Sequence, residues 1–371
     1  MKPTYLIAGG GTGGHIFPAV AIGKAIMAKV PEAAIVFIGT RYGMEKDLIP
    51  KLGLPLRTLP IRGFLGKGIL DRLALIWRLP ASFVLSLWYL LKFRPKVVVG
   101  VGGYASGPLL FLAAMLRRPT LIQEQNAFPG VTNRLCSRFA RLACLGFAEA
   151  GQLLHCPSVE TGNPVRQEFS DRPAWSFQRN RVLVLGGSQG ARALNQEVPG
   201  ILLKALEKYP ELSVIHQAGK NHRDQVQERY GDWGNRVQVV DFIEDMAGQM
   251  DGARIVFCRA GASTISELKQ VRIPAVLIPF PGATHDHQTH NARSLANVGA
   301  GLLIPESKLS PSQGDLVDLI GDHAELSSMA SAYPVRNPDS ANLCAEAVFA
   351  LERGQQVDQI IEELHTHVSK N

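Results

Sequence analysis

Cysteine is scarce in this chain, and no two cysteines stand at the short spacing that metal sites use. Five occur among 371 residues, at Cys136, Cys144, Cys156, Cys258 and Cys344, without a C-x-x-C pair. Structural zinc sites and disulfide frameworks both depend on patterned cysteines. The composition therefore argues against both, and it fits a protein of a reducing cytoplasm.

Long uninterrupted apolar segments are also lacking. The apolar run near the N-terminus is broken by glycine from Gly9 onward, so it does not have the core of a signal peptide. Residues Val97 to Leu116 carry no charge and are long enough to span a bilayer. Their centre reads GVGGYASGP, however, and its glycines and proline would interrupt a spanning helix. We expect a strand, a loop and a helix in this stretch.

The formal net charge is +7, but the basic residues do not form the pattern of a nucleic-acid-binding protein. No basic stripe is interleaved with stacking aromatics, so no nucleic acid partner is expected. Instead, basic residues punctuate an apolar, aromatic segment from Phe64 to Lys96. Its uncharged core, Leu79 to Leu91, is too short to span a bilayer. Two interpretations remain open: a helix lying on an anionic membrane leaflet, and an ordinary core helix.

Short apolar runs alternate with segments of helical spacing along most of the chain. This alternation predicts an α/β fold with parallel sheets covered by helices on both faces. Gly162 and Pro164 interrupt it and predict a boundary between domains of residues 1–162 and 163–340. A last helix is expected from about Ala341 to Leu351. The C-terminal helical segment, residues 341–371, is expected to pack back on the first domain, with final residues that are solvated and fray. The predicted strands are Tyr5 to Ala8, Ile35 to Ile38, Leu56 to Leu59, Val97 to Val101, Thr120 to Gln123, Leu142 to Leu145, Val182 to Leu185, Ser213 to His216, Val237 to Val240, Ile255 to Phe257 and Ala275 to Ile278.

Two glycine-rich turns stand about half a chain apart, each between a predicted strand and a predicted helix. They read GGGTGGH from Gly9 to His15 and GGSQGAR from Gly186 to Arg192. Glycine lets backbone N–H groups approach an anion, and the helix N-terminus favours negative charge at the same place. Neither turn is diagnostic alone, and a tight turn without a ligand remains open for each. Together they predict two nucleotide-fold domains.

Ligands of parallel sheets bind beyond the carboxyl ends of the strands, and seven loops there carry distinctive residues. The loops are GGGTGGH, GVGGYASGP, QEQN, GNPVR, GGSQGAR, CRAGASTISE and PFPGATHDHQTHNA. In this order, and over nearly the whole chain, they resemble the MurG family of peptidoglycan N-acetylglucosaminyltransferases, in glycosyltransferase family 28. The resemblance implies the GT-B fold, in which two Rossmann-like domains face each other across a deep cleft. The resemblance implies that the first domain binds the acceptor and the membrane and that the second domain binds the UDP-sugar.

The resemblance also implies a reaction and its partners. N-acetylglucosamine would pass, with inversion, from UDP-N-acetylglucosamine to the 4-hydroxyl of undecaprenyl-diphospho-N-acetylmuramoyl-pentapeptide, which is the lipid I to lipid II step of peptidoglycan synthesis. The enzyme would be peripheral, on the cytoplasmic side of the bacterial cell membrane at its anionic inner leaflet. The family's donor contacts fall on Thr12, Gly13, Gly14, Asn126, Arg166, Ser188, Ile243, Ala262, Ser263, Thr264, Ile265, Ser266, Glu267 and Gln288.

The chemistry of these residue types agrees with the implied contacts. Ser188 in its glycine turn, with charge from Arg166, could hold a diphosphate without a metal. Glu267 is expected in the first turn of a helix beginning near Ser263, where it could bind ribose hydroxyls or only complement the helix charge. Ile243 would offer its backbone to the uracil edge. Gln288 and Asn291 lie about one helical turn apart and could both face the sugar hydroxyls.

Transfer with inversion needs a base for the proton of the acceptor hydroxyl. His15 ends the first glycine turn, and an imidazole titrates near neutral pH. We predict His15 as this base, with a helix-capping or substrate-binding role as the alternative and Glu124 as a candidate helper. The acceptor diphosphate is expected at the next glycine-rich loop, with contacts from Gly102, Gly103, Tyr104 and Ser106.

Three other hypotheses stay open. The tract HDHQTH holds His285, Asp286, His287 and His290, which are metal-ligand types, but a local cluster lacks a distant ligand. No D-x-D motif is present, and we expect no cofactor and no metal requirement.

A GT-B enzyme with a different lipid acceptor would share these loops. A nicotinamide dehydrogenase would need an acidic residue after the second strand, where this chain has Arg41.

Overall fold

The chain forms two compact units, Met1–Gln167 with Asn337–Asn371, and Glu168–Arg336. The computed structural model describes residues 2–62, 69–169, 172–187, 189–334 and 339–369. For residues 69–75 and 368–369, only the backbone is described. Ser188 and the start of the basic apolar segment at Phe64 therefore lie outside the described residues.

In its described residues, the first unit contains a seven-stranded parallel sheet. The strands are β1 (Thr4–Ala8), β2 (Ala34–Thr40), β3 (Leu56–Leu59), β4 (Val97–Gly100), β5 (Thr120–Glu124), β6 (Leu142–Leu145) and β7 (Ser158–Glu160), in the spatial order β3-β2-β1-β4-β5-β6-β7. The helices between them are α1 (Gly13–Lys29), α2 (Glu45–Lys51), α3 (Ile69–Phe93), α4 (Ser106–Met115) and α5 (Val131–Cys136). The glycine-rich loops follow β1 and β4, which are neighbours in the sheet.

Side chains alternate between two apolar layers, one on each face of this sheet. Ile7 and Val99 belong to a core cluster that includes α1, whereas Leu6 and Val98 belong to a second cluster with α4 and part of α3. Successive strand residues point to opposite faces, so a strand buried on both faces must be apolar throughout. This explains the uninterrupted apolar runs in the sequence.

The second unit repeats this architecture with a six-stranded parallel sheet in the described residues. The strands are β8 (Arg181–Leu185), β9 (Ser213–Gln217), β10 (Val237–Val240), β11 (Ala253–Cys258), β12 (Ala275–Leu277) and β13 (Gly301–Leu303), in the order β10-β9-β8-β11-β12-β13. The helices are α6 (Arg192–Lys208), α7 (Arg223–Tyr230), α8 (Met246–Asp251), α9 (Ala262–Val271), α10 (His287–Ala296), α11 (Gln313–Gly321) and α12 (His323–Ser331).

The C-terminal segment forms two helices, α13 (Ser340–Glu352) and α14 (Val357–Ser369), in the first unit. Cys344 and Val348 of α13 and Ile360 and Leu364 of α14 are buried in the core cluster that also contains α1. The helix expected to end near Leu351 is therefore followed by a second helix, which reaches the last described residues. The tail forms a second amphipathic helix, whose buried residues recur at the four-residue spacing of one helix face.

All of the predicted strands are present, with bounds that differ by up to two residues. The stretch Val97 to Leu116 is strand, loop and helix, as predicted. Two short strands, β7 and β13, were not predicted. Among the described helices, none is long and apolar enough to cross a membrane.

Candidate functional site

In the first unit, the loops after β1 and β4 lie directly against each other. A Cβ atom on Gly103 would come within 2.5 Å of the carbonyl oxygen of Gly10, and the φ of Gly103 is +77°. A Cβ on Gly102, with φ +93°, would lie 3.0 Å from Cε1 of His15. Both glycines are therefore required for the approach of the loops, and the imidazole of His15 occupies the space beside Gly102.

His15 makes a hydrogen bond to a residue that no sequence motif indicated. Its Nδ1 lies 2.7 Å from Oε1 of Gln125, which is buried just after β5. The amide nitrogen of Gln125 donates to the backbone carbonyls of Val101 and Gln123, each at 3.0 Å. Gln125 stands between Glu124 and Asn126 in the QEQN loop, so its place after a strand was the only available signal.

The carboxylate of Glu124 organises the loop that follows β5. It is 1% exposed, and its Oε1 accepts hydrogen bonds from the backbone N–H and the side-chain amide of Asn126 at 2.9 and 3.3 Å. Its Oε2 accepts from the N–H of Gly130 at 3.1 Å and from Nδ2 of Asn133 at 2.9 Å. Both oxygens are thus engaged by the protein, which suits a positioning role better than that of a helper base.

Ser106 is buried against the backbone and does not open onto the surface of the loop, contrary to expectation. Its side chain is fully buried, and its hydroxyl lies 2.8 Å from the carbonyl of Ala8 and 2.7 Å from that of Gly102. The hydroxyl can donate to only one of these carbonyls at a time. Ser106 therefore links the end of β1 to the loop after β4. Tyr104, in the same loop, is half-buried against the apolar layer on that face of the sheet.

The first glycine turn begins helix α1. Thr12 is the extended N-cap residue, its side chain does not cap the helix, and Gly13 and Gly14 begin the first turn, which contains no acidic residue. The guanidinium of Arg166 lies 5.2 Å from the centre of the Phe17 ring, on the same helix. Arg166 thus lies beside the first glycine turn, within the first unit. This helix start, with a cation nearby, favours an anionic ligand group.

In the second unit, a cavity of about 670 Å³ opens beside the second glycine turn. Pockets for small molecules commonly have volumes of about 300–1,000 Å³. A Cβ on Gly190 would lie 2.2 Å from the carbonyl of Ala218, so this turn also depends on glycine. Helix α6 begins at Arg192 and has no acid in its first turn. The cavity is lined by Gly186, Gln189, Gly190, Ala191, Arg192, Ala193, Gln196, Arg259, Phe280, Gln288 and Glu306.

Arg259 and Gln288 line this cavity in fixed orientations. Arg259 donates to the carbonyls of Ile278 and Pro279 at 3.1 and 3.2 Å and forms an ion pair with Glu306. Oε1 of Gln288 accepts from the N–H of Phe280 at 3.0 Å. This bond leaves the amide nitrogen of Gln288 as the end that can donate to a ligand.

The run from Ala262 to Glu267 opens helix α9, which begins one residue earlier than expected. Glu267 is therefore in its second turn rather than its first, which weakens helix-charge complementarity as an explanation. Ala262, Ile265 and Ser266 are buried, and the Ser266 hydroxyl donates to the carbonyl of Ala262. Thr264 and Glu267 are half-buried. Oγ of Ser263 is buried without a hydrogen-bond partner.

Asn291 does not face an open site, which corrects a second expectation. It is fully buried, and its Nδ2 donates to the carbonyl of Ala260 at 3.1 Å. The spacing to Gln288 is one helical turn, as predicted, but the loop before α9 packs over Asn291. Its amide therefore holds α10 to that loop.

Behind the second glycine turn lies a buried polar network. Nε2 of His216 lies 3.0 Å from Oδ1 of Asn195, and its Nδ1 lies 2.9 Å from the hydroxyl of Tyr230. Asn195 also donates to the carbonyl of Ala218 at 2.9 Å, next to the glycine turn. Burial lowers the pKa of His216 to about 3, so the imidazole is neutral at physiological pH. The backbone N–H of Ile243 lies nearby and donates to Gln217 at 3.4 Å.

The tract HDHQTH makes local contacts. His287 donates from Nδ1 to the carbonyl of Thr284 at 2.9 Å, and Thr289 donates to Asp286 at 2.7 Å. In the part of the chain that the structure describes, no three histidine, cysteine, aspartate or glutamate side chains are placed to hold a metal ion.

Helix α3 exposes a row of large apolar side chains. The exposed fraction is 81% for Trp77, 68% for Val84 and 59% for Leu91. Lys92 lies 4.4 Å from the centre of the Trp88 ring on the same helix. These side chains are not in the core, so α3 is not an ordinary core helix on this side.

The chain matches the family models of the glycosyltransferase family 28 N-terminal domain over residues 5–144 and C-terminal domain over residues 181–332. One relative is a protein of Syntrophotalea carbinolica named UDP-N-acetylglucosamine--N-acetylmuramyl-(pentapeptide) pyrophosphoryl-undecaprenol N-acetylglucosamine transferase. It is 43% identical over 331 residues, which cover 88% of this chain and 92% of that protein. A protein of the same name from Anaeromyxobacter sp. strain Fw109-5 is 42% identical and covers 92% of this chain and 93% of its own length. The crystal structure of Acinetobacter baumannii MurG superposes with a TM-score of 0.75 and 31% identity, covering 94% of this chain and 99% of that one.

Proposed function

The chain belongs to glycosyltransferase family 28 and has the GT-B fold, and we propose that it performs the lipid I to lipid II step of peptidoglycan synthesis. In this reaction, N-acetylglucosamine passes from UDP-N-acetylglucosamine to the 4-hydroxyl of undecaprenyl-diphospho-N-acetylmuramoyl-pentapeptide. The observation that carries the proposal is the identity of 42–43% to transferases of that name over about nine-tenths of the chain. Neither a dehydrogenase nor a different lipid acceptor is favoured by these relatives.

The second unit would bind the donor. Its cavity joins a glycine turn, the start of helix α6 and Arg192, a combination that suits a diphosphate. The amide of Gln288 can donate to the sugar hydroxyls. Ser263 has a buried hydroxyl whose hydrogen-bonding capacity is unmet, and a bound donor would satisfy it. Glu267, one turn further along α9, is the carboxylate for the ribose hydroxyls.

The first unit would bind the acceptor and supply the base. In a single displacement, Nε2 of His15 takes the proton of the acceptor hydroxyl while its oxygen bonds to the anomeric carbon. The bond from that carbon to the diphosphate breaks, and UDP leaves with the electron pair. The backbone around Gly102 and Gly103, which lies beside His15, would contact the acceptor diphosphate, whereas the hydroxyl of Ser106 is engaged by backbone carbonyls.

We propose that no metal is needed, because helix N-termini and arginine side chains can stabilise the leaving diphosphate. Helix N-termini with no acid in the first turn occur at both glycine turns, and Arg166 and Arg192 accompany them. An assay of UDP release from UDP-N-acetylglucosamine with a lipid I acceptor, repeated in excess chelator, tests the metal independence. Activity that is lost to chelator and restored by one divalent ion would contradict it.

We also propose that the enzyme is peripheral, on the cytoplasmic side of the membrane, and docks through α3. Exposed Trp77, Val84 and Leu91 would enter the interface of an anionic leaflet, and Arg78 and Lys92 would stay with the headgroups.

The direct experiment measures UDP release from UDP-N-acetylglucosamine with a short-chain lipid I acceptor. Other sugar nucleotides, and other lipid-linked sugars as acceptors, serve as controls. We expect release only with the matched pair. Release that is equally fast with an acceptor lacking the N-acetylmuramoyl-pentapeptide would contradict the assigned acceptor.

A further inference from the structure

We propose that Gln125 is a positioning residue that holds His15 in the tautomer with its proton on Nδ1 and its lone pair on Nε2. The role assigned to the lone pair rests on the proposed function. The tautomer itself follows from hydrogen bonds within the first unit.

The orientation of the Gln125 amide is set by its surroundings. Its Nε2 is 3.0 Å from the carbonyl oxygens of Val101 and Gln123, and it also contacts Oε1 of Gln123. Carbonyl oxygens only accept hydrogen bonds, so the NH₂ end must face them. A flipped amide would place Oε1 against these oxygens in a site that is 2% exposed. Oε1 of Gln125 therefore points to His15.

The neighbouring amides reinforce this orientation. Nδ2 of Asn163 donates to the backbone carbonyl of Gln125 at 2.8 Å, and Nε2 of Gln123 donates to Oδ1 of Asn163 at 2.9 Å. Gln123 is thereby left with its Oε1 toward Gln125. These three buried side chains form a hydrogen-bond chain. Its donors and acceptors can be arranged in only one way, because backbone carbonyls in the chain can only accept.

The direction of this chain determines the state of His15. Oε1 of Gln125 can only accept, so Nδ1 of His15, 2.7 Å away, must donate. A neutral imidazole carries one proton, and Nε2 is consequently unprotonated. That nitrogen is the one available to take the acceptor proton. After the transfer, the Nδ1–H remains hydrogen-bonded to Gln125, which keeps the ring in place.

The test reads the tautomer directly, by two-dimensional NMR of the full-length protein with ¹⁵N-labelled histidine, in an alkaline buffer where imidazoles are neutral. The chain has ten histidines, and the His15→Gln variant identifies the His15 signals by their loss. We expect the wild type to show a protonated Nδ1 and an unprotonated Nε2 at His15. An Nε2–H tautomer in the wild type would overturn the proposal.

Gln125→Met removes the acceptor with little change in side-chain size. We expect His15 to shift toward the Nε2–H tautomer and kcat to fall roughly tenfold or more, because a general base in the wrong tautomer cannot take the proton. The donor KM should change by less than about twofold. Gln123→Met is the matched control. It removes a buried amide from the same hydrogen-bond chain but leaves Gln125 bonded to the backbone carbonyls of Val101 and residue 123. His15 should keep its Nδ1–H tautomer in this control.

An unchanged Nδ1–H tautomer in Gln125→Met would overturn the positioning role. If that variant does not fold, Gln125→Asn replaces it, since the shorter side chain withdraws the acceptor and should release the tautomer in the same way. Failure of the inference is distinguishable from failure of the proposed function. A wild type with the Nδ1–H tautomer that transfers no sugar contradicts the function alone, whereas an active wild type with the Nε2–H tautomer contradicts the inference alone.

Discussion

The carboxylate of Glu45 accepts a hydrogen bond from the backbone N–H of Gly11 at 2.9 Å. Its other oxygen accepts from the backbone N–H and the hydroxyl of Thr40, at 2.7 and 2.8 Å. Glu45 is 1% exposed, at the start of α2. A buried carboxylate thus ties the first glycine turn to the end of β2, and the N–H of Gly11 is engaged by the protein rather than by a ligand.

Glu45→Gln should destabilise the protein and disturb this turn. The substitution replaces an accepting oxygen with an NH₂ group, which would face either Gly11 N–H or Thr40 N–H. We expect a loss of about 1–3 kcal/mol in the free energy of unfolding, the usual cost of leaving a buried group unsatisfied. Urea denaturation measures it. Asp47→Asn, on the exposed side of α2, removes the same charge and should have little effect. Equal losses in the two variants would contradict the role of Glu45.

The fold was predictable from the sequence because parallel strands buried on both faces are apolar throughout. The two strands that were not predicted, β7 (Ser158–Glu160) and β13 (Gly301–Leu303), are short, lie at the sheet edges and are only partly buried, so they lack such a buried run. Helix α14 (Val357–Ser369) was also not separated from the helix expected to end near Leu351. Its buried Ile360 and Leu364 become significant only when a helix period is imposed on them.

The site was less predictable than the fold, because loops after strands indicate where ligands bind but not which side chains face them. Asn291 has the predicted spacing from Gln288. It is nevertheless covered by the loop before α9. Gln125 and His15 are 110 positions apart, and only the pairing of β1 with β4 and of β4 with β5 brings them together. The same holds for Glu45 and Gly11, 34 positions apart. Such contacts have no local sequence signal.

Ser263→Ala should weaken donor binding without destabilising the protein. The Ser263 hydroxyl is buried and has no hydrogen-bond partner, so its removal leaves the stability of the free protein unchanged or slightly higher. The donor should bind more weakly and raise the melting temperature less, because the bound donor loses a hydrogen bond. Melting curves with and without UDP-N-acetylglucosamine measure both effects. A large loss of stability in the free protein would show instead that the hydroxyl is structural.

Glu267→Ala should reduce kcat/KM for the donor by about tenfold or more, since it removes an ionised acceptor of hydrogen bonds. Steady-state kinetics with varied UDP-N-acetylglucosamine measure the change. Thr264→Ala, in the same turn region of α9 and without a charge, is the comparison variant and should lose less. A folded Glu267→Ala enzyme with unchanged donor kinetics would remove Glu267 from the site.

Replacing Trp77, Val84 and Leu91 by serine should reduce binding to anionic vesicles. The loss follows from the apolar surface withdrawn from the interface, and the residual binding of all proteins should weaken with salt because charge attraction is screened. Vesicle sedimentation measures it. Val298→Ser and Leu302→Ser remove exposed apolar side chains of the second unit and should have no effect. Equal binding by all variants would remove α3 from the membrane contact.

His216 should make the protein less stable in acid. Its pKa is about 3 in the folded protein and near 6.5 when exposed, so the unfolded chain binds a proton that the folded chain does not. Stability is therefore fully present above about pH 6.5 and is lost as the pH falls toward 3, with a contribution of up to about 1.4 kcal/mol per pH unit. Urea midpoints between pH 7 and 5 measure the slope. His216→Gln should flatten it, whereas His222→Gln, at an exposed position, should not. Identical slopes in all three proteins would contradict this account of His216.

The most direct test of the whole account is the rate at which labelled N-acetylglucosamine is transferred from UDP-N-acetylglucosamine to a short-chain lipid I acceptor by the wild type and by His15→Gln. Glutamine can form hydrogen bonds in the same space but cannot take the acceptor proton. We predict that the wild type transfers the sugar to the 4-hydroxyl, and that kcat of the variant is lower by roughly a hundredfold or more while the donor KM changes little. Absence of transfer by the wild type would contradict the assigned reaction, and a near-normal kcat in His15→Gln would contradict His15 as the base.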